Sequence, residues 1–256
     1  MVASLLATPA ISISPSAMAG ADAGFDPGAL DGGQMTIPAQ TAAFVFFGDR
    51  SNTSLDTPPS PLPGAAVSVR EDGAAGVALE DTGEGTYALS SNQNPALEYT
   101  PGATYDFEAV LQGQTYVGRV EKAPQVERVP DLHPPQGYID QPANTPFTFN
   151  RPNPPPGQER NLGFVTVYPV DDRGQKGQPT YTNVPHTPVD FLRLIASPWQ
   201  WRQPVVTVPA SAFPNAQQTY VLVLQAVKMG GPSSNNLFTG SAILAGTAEV
   251  GVFRTR

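Results

Sequence analysis

Residues 99–120, with the sequence YTPGATYDFEAVLQGQTYVGRV, decide the fold class of this chain. Pro101-Gly102 is a turn signal, and Gln112-Gly113-Gln114 is a second one that separates two runs of strand length. Apolar residues at every second position of the first run point to one face of a strand: Tyr105, Phe107, Ala109 and Leu111. The stretch therefore predicts a β-hairpin with one buried face.

The same design recurs on the N-terminal side of this hairpin. Residues 41–48, TAAFVFFG, form a compact apolar run, and residues 66–70, AVSVR, alternate between apolar and polar. A glycine-rich turn separates residues 77–79 from residues 86–89, which predicts a second hairpin. Short strands at even spacing with turns between them are typical of a β-sandwich.

The composition supports an all-β protein. The 256 residues include 29 prolines and 24 glycines, and only 14% of the residues are charged, against about 25% in an average soluble domain. A hydrophobic content of 40% argues against a disordered chain. The net charge of −8 argues against a nucleic-acid partner, which needs a basic surface. Because the chain has no cysteine, disulfides and thiolate metal sites are excluded.

Composition divides the chain into four segments. Residues 1–19 resemble a secretory signal, because a moderately apolar stretch ends in the small-x-small pattern Ala17-Met18-Ala19, although no basic residue precedes it. Residues 20–39 lack periodicity and are interpreted as a flexible linker. Residues 40–124 are predicted to form a first β-sandwich domain, and residues 125–256 a second one. The signal-like start predicts a secreted, cell-envelope or extracellular location.

The second domain is predicted to contain several strands and one short helix. Strands are expected at residues 147–149, 162–170, 205–208, 219–227 and 237–253. Thr187-Pro188 with Asp190 is typical of a capped helix start. The apolar residues that follow form a stripe on a two-turn helix: Phe191, Leu192, Leu194 and Ile195. The expected fold is all-β, with two β-sandwich domains in tandem and one short helix in the second.

Residues 62–124 resemble a known class of module. The pieces PLPGAAVSV, GEGTYAL and YTPGATYDFEAVLQGQTYVGRV are similar to carboxypeptidase-regulatory-like and transthyretin-like β-sandwiches of bacterial surface proteins. The remainder, beyond residue 130, resembles an Ig-like or fibronectin-III-like module. Its piece VTVPASAFPNAQQTYVLVLQAV is similar to C-terminal hairpins of exported deltaproteobacterial proteins. These resemblances imply a fold and a surface location, and they imply no activity.

No enzyme is predicted, because the residues of common catalytic sites are missing or isolated. His133 and His186 are the two histidines of the chain, and each lies beside a proline in a predicted loop. No Gly-x-Ser-x-Gly elbow, phosphate-binding loop or dinucleotide fingerprint occurs in the sequence. A pocket that gathered His186 with carboxylates would reopen the enzyme class.

Calcium is the one cofactor that the sequence brings into consideration. Asp171 and Asp172 lie in the turn DDRGQKG, and Asp49, Asn52 and Asp56 lie in another loop, where calcium finds its oxygen ligands. Neither loop matches a known calcium motif, and acidic turns at strand ends are usually solvated. We therefore predict no metal and no cofactor, with Asp171 and Asp172 as the residues that a calcium ion would use.

Residues 197–204, SPWQWRQP, contain both tryptophans of the chain. In an extended segment Trp199 and Trp201 share one face, and the flanking prolines favour an edge strand or a crossing loop. An inward face would pack the indoles on the predicted helix stripe, whereas an outward face would form a platform with Arg202 or Tyr181 at its margin. A mixed arrangement with one buried indole is favoured. The candidate ligand-binding residues are Trp199, Trp201, Arg202 and Tyr181.

The sequence thus predicts a non-catalytic structural or interaction protein of the cell surface or extracellular space, built from Ig-like modules. One alternative is a carbohydrate- or peptide-binding module that uses Trp199 and Trp201. A second alternative is a fibre subunit that self-assembles by strand addition at exposed sheet edges. The expected partner is a surface protein or a glycan, and the sequence does not specify the ligand.

Overall fold

The computed structural model describes residues 1–13, 35–50, 59–171, 174–186 and 188–256. Within these ranges the chain is all-β with one short α-helix, which confirms the all-β part of the prediction. The helix α1 (Pro188–Ala196) lies where the sequence predicts it. Three short 3₁₀-helices accompany it, at Pro130–Leu132, Pro198–Trp201 and Ala210–Ala212.

The described strands are short in the first half of the chain and longer in the second. The first half contains β1 (Val2–Thr8), β2 (Ile11–Ile13), β3 (Met35–Ile37), β4 (Gln40–Phe46), β5 (Gly48–Asp49), β6 (Ser60–Pro61), β7 (Ala66–Glu71), β8 (Val77–Ala78), β9 (Glu80–Gly83), β10 (Thr86–Ser90), β11 (Tyr105–Leu111) and β12 (Gln114–Val120). The second half contains β13 (Ile139–Gln141), β14 (Phe147–Asn150), β15 (Leu162–Val170), β16 (Tyr181–Thr182), β17 (Val205–Val208), β18 (Thr219–Pro232) and β19 (Ala242–Thr255).

A long hairpin of β18 and β19 organises the main sheet. The two strands pair antiparallel from Thr219↔Arg254 to Gly230↔Ile243. Each outer edge of this hairpin is shared by two other strands: β18 pairs with β15 and then with β12, while β19 pairs in parallel with β1 and then with β13. The sheet continues through the order β8-β7-β11-β12-β18-β19-β1-β4-β10-β9.

The two ends of this strand order are joined by one piece of chain. Val77–Ala78 pairs with β7 at one end of the sheet, and Glu80–Gly83 pairs with β10 at the other end. Between them Leu79 N donates to Val67 O at 2.9 Å. The sheet therefore curls until it nearly closes. The predicted hairpin of residues 77–79 with residues 86–89 is corrected accordingly: residues 77 and 78 pair with β7, and the strand formed by residues 80–83 pairs with β10.

Residues from both arms of the curled sheet meet in one core. Alternate residues of β11 are buried there, as the opening stretch predicts, among them Tyr105 and Phe107. Ile243 and Ala245 of β19 belong to the same core, together with Leu237. The C-terminal hairpin thus contributes to the core of the first predicted module. The division of the chain into two domains stays a prediction.

A second core lies on the other half of the hairpin. Phe253 contacts Phe147 edge-on at a centroid distance of 4.8 Å and Phe213 at 4.9 Å. Tyr220 and Leu222 of β18 are buried in the same cluster. The helix α1 covers a separate, smaller cluster formed by Leu162, Phe164, Leu194 and Val227. This arrangement places the segment after α1 beside β15.

The N-terminal residues lie inside the sheet. Val2–Thr8, within the segment interpreted as signal-like, forms β1 between β19 and β4, and Ala3 and Leu5 are buried in the first core. Met35–Ile37, within the predicted linker, pairs with Ile11–Ile13. Among the described residues, no helix has the length and apolar character needed to cross a membrane.

Candidate functional site

The tryptophan segment folds as a 3₁₀-helix. Pro198–Trp201 forms one turn with proline at its start, where the missing N–H is tolerated. Ser197 N donates to Arg193 O at 2.7 Å at the end of α1, and Arg202 N donates to Trp199 O at 3.1 Å. Because a 3₁₀-helix has three residues per turn, residues i and i+2 point to different sides. The expectation of an extended segment with both indoles on one face is therefore corrected.

Trp201 is the indole that packs inward. Its ring meets the ring of Phe164 edge-on, with centroids 6.5 Å apart and planes at 80°. The indole Nε1 donates to Asn183 O at 3.0 Å, so the polar atom of the half-buried ring is satisfied. Leu194 of α1 lies in the same cluster. Trp201 therefore attaches the loop after α1 to β15.

Trp199 is the indole that faces solvent. Trp199 is 67% exposed, which is the highest value among the exposed large apolar residues of the described chain. The Trp199 backbone oxygen accepts hydrogen bonds from Gln203 Nε2 at 3.0 Å and from Arg202 N. A fixed backbone thus presents a single exposed indole. One packed and one exposed indole is the arrangement that the sequence favours.

Arg202 and Tyr181, the other two predicted ligand-binding residues, have partners of their own. Arg202 Nη1 pairs with Glu159 Oε2, and Arg202 Nε is shielded without a hydrogen-bond partner. Tyr181 lies opposite Val167 on β15 and packs against the second core, whereas Trp201 packs against Phe164 on the other face of that strand. Burial raises the pKa of the Tyr181 hydroxyl. Tyr181 and Trp201 therefore pack on opposite faces of the sheet, and the binding role of the four predicted residues stays a prediction.

Arg151 holds the tryptophan segment from below. Its side chain is fully buried and forms a bidentate pair with Glu127, with Nε donating to Oε2 and Nη2 to Oε1, both at 2.9 Å. Arg151 Nη1 donates to Trp201 O at 3.1 Å, and Arg151 N donates to Pro204 O at 2.8 Å. Desolvation by burial lowers the pKa of Arg151, and Glu127 counteracts that effect. The guanidinium is thus a structural anchor.

A larger candidate site lies where β4, α1 and the turn between β18 and β19 meet. It is a cavity of about 820 Å³, a size that suits a small molecule. Half of its apolar lining residues are aromatic, and the lining includes Phe44, Phe46, Phe191, Ile195, Leu237 and Phe238. We call this cavity the aromatic groove.

Strand register explains why Phe44 and Phe46 face the groove. Ala43 and Val45 of β4 are buried in the first core, so the alternate residues of this strand point outward. Phe44 lies between Ser4 of β1 and Ala88 of β10, and these small neighbours leave its ring 43% exposed. An apolar side chain on the outer face of a central strand is therefore left uncovered.

The other wall of the groove comes from α1 and from the turn before β19. Phe191 and Ile195 are one helical turn apart, while Leu194 of the same helix is fully buried on the side of β15. Ile195 is 40% exposed, so the expectation that it packs beneath the indoles is corrected. Phe238 is 47% exposed, and its ring lies directly over Gly240, where a Cβ atom would come within 2.4 Å of it.

Charged and titratable groups also belong to the lining of the groove. Asp49 and Arg50 follow β4, and His186 precedes α1. The Arg50 guanidinium lies 5.4 Å from the centroid of the Phe238 ring. Arg50 Nη2 is shielded from solvent and has no hydrogen-bond partner. In the part of the chain that the structure describes, Arg50 forms no ion pair.

His186 shares the groove with a carboxylate, as the enzyme alternative requires. Its Nδ1 lies 3.2 Å from Val184 O and 3.8 Å from Asp190 Oδ2, and its side chain is 75% exposed. Asp49 also lines the groove. Within the described residues, no hydroxyl or other nucleophile forms a hydrogen bond with His186. Among the described residues, the groove thus brings His186 together with a carboxylate.

The calcium candidates are only partly described. Asp171 Oδ1 accepts a hydrogen bond from Gln175 N at 2.7 Å, so its carboxylate closes the turn after β15. Asp172, Asn52 and Asp56 lie outside the described residues. Within the ranges that are described, no group of three or more acidic or histidine side chains has the spacing of a metal site.

We compared the sequence with known protein families and with curated proteins. No protein family matches the sequence, and no curated protein is significantly similar to it. The resemblance of residues 62–124 to carboxypeptidase-regulatory-like modules therefore remains a resemblance.

Sequence reasoning missed the aromatic groove. Its aromatic residues come from four segments that are distant in sequence, and one of these contains the run AAFVFF, which is apolar on both faces of the strand. A strand that is buried on one face only should alternate, so the failure of residues 44–47 to alternate is a signal of a second contact surface. Nothing in the local sequence shows that Phe238 and α1 meet that surface.

Proposed function

We propose that the protein is a non-catalytic interaction protein of the cell surface or extracellular space, built from Ig-like and transthyretin-like β-sandwich modules, and that the aromatic groove is its binding surface. One observation carries this proposal. Phe44, Ile195 and Phe238 are each 40% or more exposed, and they line the same cavity of about 820 Å³. Exposed apolar groups that converge on one concavity mark a ligand site more often than scattered ones do.

The size and lining of the groove favour the apolar part of a small amphiphilic molecule as the occupant. The volume lies within the range of small-molecule sites. Burial of aromatic and aliphatic surface supplies about 25 cal/mol per Å² removed from water. The lining also contains Arg50 and His186, which could contact the polar group of such a ligand.

Titration with N-phenyl-1-naphthylamine, a neutral apolar fluorophore, tests this proposal. We expect saturable enhancement of fluorescence with the unaltered protein. The double variant Phe44→Gln/Ile195→Gln should bind the fluorophore at least about tenfold more weakly, because two exposed apolar contacts are lost. Trp199→Ala is the matched control, since it removes an exposed aromatic ring outside the groove. Absence of saturable binding, or equal affinity in the groove variant, would overturn the proposal.

A carbohydrate- or peptide-binding module at the tryptophan segment is the second candidate. The exposed Trp199 ring on a backbone held by Gln203 and Arg202 favours it. Glycan-array binding that is lost in Trp199→Ala at unchanged thermal stability would support this candidate over the groove. Trp201 is unsuited to the same test, because its partial burial makes a stability change expected.

Fibre assembly by strand addition gains less support. The terminal strands β8 and β9 have two and four residues, and one continuous segment joins them. The four residues of β9 include Glu80 and Asp81, and charges and short length both discourage edge-to-edge pairing. Sedimentation that shows a monomer at high concentration would exclude assembly, and growth of long polymers would favour it.

A further inference from the structure

We infer that the ligand of the aromatic groove is a monoanionic amphiphile, an apolar chain that ends in a carboxylate, and that Arg50 binds the carboxylate. This inference rests on the proposed function of the groove and adds the chemistry of the ligand. Its starting point is the unsatisfied guanidinium of Arg50 in the lining of a mainly apolar cavity.

The Arg50 guanidinium has no acceptor among the described residues. Its Nη2 is shielded from solvent and has no hydrogen-bond partner, and its nearest recorded aromatic contact is the ring of Phe238 at 5.4 Å. Three other arginines that are partly or fully buried each form an ion pair: Arg70 with Glu108, Arg151 with Glu127, and Arg202 with Glu159. A shielded donor without an acceptor is costly, and a charged donor is more so.

A carboxylate on the ligand would remove this cost. The five N–H donors of a guanidinium match a carboxylate in bidentate geometry, and such charge-assisted bonds are about twice as strong as neutral ones. The Phe238 ring beside the guanidinium limits the water that would compete for it. The Arg50 guanidinium is therefore positioned to bind an anionic group next to an apolar surface that can hold the chain of the ligand.

The remaining charges of the groove restrict the ligand to one negative charge. Asp49 also lines the groove, and its negative charge disfavours a ligand that carries more than one anionic group. His186 Nδ1 lies 3.8 Å from Asp190 Oδ2, so this histidine already has a carboxylate beside it. Phe191 and Ile195 form the apolar wall along which the chain of the ligand would lie.

Competition between N-phenyl-1-naphthylamine and two ligands of equal chain length tests the inference. Decanoate and decanol are each titrated below the concentration at which they aggregate. With the unaltered protein, we expect decanoate to displace the fluorophore at a concentration about tenfold below that of decanol, which matches the strength of a charge-assisted hydrogen bond.

Variants assign this preference to Arg50. Arg50→Gln should raise the dissociation constant of decanoate about tenfold. The same variant should change the dissociation constants of decanol and of the fluorophore by less than about twofold. Arg256→Gln is the charge-matched control, because Arg256 follows the far end of β19 and is 71% exposed. Arg50→Lys keeps the charge without the planar fork and should give an intermediate result.

The outcomes separate the inference from the proposed function. The inference would be overturned if the fluorophore binds but Arg50→Gln and the unaltered protein have the same affinity for decanoate. The groove would then be a neutral apolar site. Decanol binding as strong as decanoate binding would also overturn it. If calorimetry shows no binding of decanoate and the fluorophore does not bind, both proposals fail. Affinity that falls as the protein concentration rises would show that a second copy of the chain occupies the groove, which also contradicts the inference.

Discussion

The guanidinium of Arg151 donates from Nη1 to the backbone oxygen of Trp201 at 3.1 Å, beneath the one tryptophan segment of the chain. The same guanidinium holds Glu127 in two hydrogen bonds and Asn161 O at 2.9 Å. A single buried cation therefore connects the chain before β13, the loop before β15 and the loop after α1. An added Cβ at Gly163 would come within 2.5 Å of Nη1, so the strand beside it has no side chain there.

Removal of Arg151 should destabilise the fold strongly. We expect Arg151→Met to lower the free energy of unfolding by about 3–5 kcal/mol, because Glu127 is left buried without its partner. The double variant Arg151→Met/Glu127→Leu should recover much of this loss. Urea denaturation followed by circular dichroism measures both values. A change below about 1 kcal/mol in the single variant would contradict the role of Arg151 as an anchor.

The two tryptophans should differ in their effect on stability. Trp199→Ala should change the free energy of unfolding by less than about 0.5 kcal/mol, because the ring is mostly exposed. Trp201→Ala should cost about 2–3 kcal/mol, since it leaves a gap beside Phe164 and frees the Asn183 carbonyl. Thermal denaturation of both variants checks this order. Equal losses would mean that the segment does not fold as a 3₁₀-helix with one ring packed inward.

Two adjacent glycines of β18 should respond differently to substitution. A Cβ at Gly230 would come within 1.9 Å of Arg119 O and 2.7 Å of Val120 Cα on β12, whereas a Cβ at Gly231 meets no atom within 4 Å. We expect Gly230→Ala to prevent folding or to lower stability severely, and Gly231→Ala to be tolerated. Soluble yield and the melting temperature of the two variants provide the measurement. A well-folded Gly230→Ala protein would show that β18 does not approach β12 as described.

Alkaline pH should weaken the first core. Burial raises the pKa of Tyr105 to about 12 and raises the pKa of Tyr99 above its usual range. The two rings stack with centroids 5.7 Å apart, and Tyr99 donates its hydroxyl proton to Pro124 O at 2.7 Å. A tyrosine in the unfolded chain has a pKa of about 10. Between this pH and the raised pKa of the folded state, the folded state binds more protons than the unfolded state. The contribution of these two tyrosines to the free energy of unfolding is therefore fully present below about pH 10 and is lost as the pH rises above that value.

Urea denaturation at a series of alkaline pH values, with tyrosinate absorbance measured in parallel, checks this expectation. Tyr99→Phe/Tyr105→Phe should flatten the decline, because neither ring can then ionise. A variant that loses stability as steeply as the unaltered protein would assign the decline to other groups.

Local sequence patterns were sufficient for most strands and for the helix. The alternation in residues 105–111 and the continuous apolar run of residues 162–170 predict β11 and β15 closely, because period and length are local properties. The strand β1 was missed since VASLLAT combines small and apolar residues without a clear period, and only pairing with β4 and β19 shows its role.

Longer-range features lay beyond the sequence patterns. Residues 77–83 look like one arm of a hairpin, and their switch between the two ends of the sheet depends on pairing with β7 and β10. The tryptophan segment was expected to be extended because its prolines suggest an edge strand, yet proline is equally suited to the first position of a 3₁₀-helix. Arg50 and Phe238 are distant in sequence, so their contact in the groove follows only from the fold.

The position of a bound ligand tests the central claim most directly. Two-dimensional NMR of the protein with decanoate resolves the methyl groups of Ile195 and Leu237 in the groove and the indole N–H signals of Trp199 and Trp201 outside it. We expect chemical-shift changes and contacts with the decanoate chain at Ile195 and Leu237, with both indole signals unchanged. Shifts confined to the Trp199 indole, or no shift at any of these groups, would contradict the account of the aromatic groove as the binding surface.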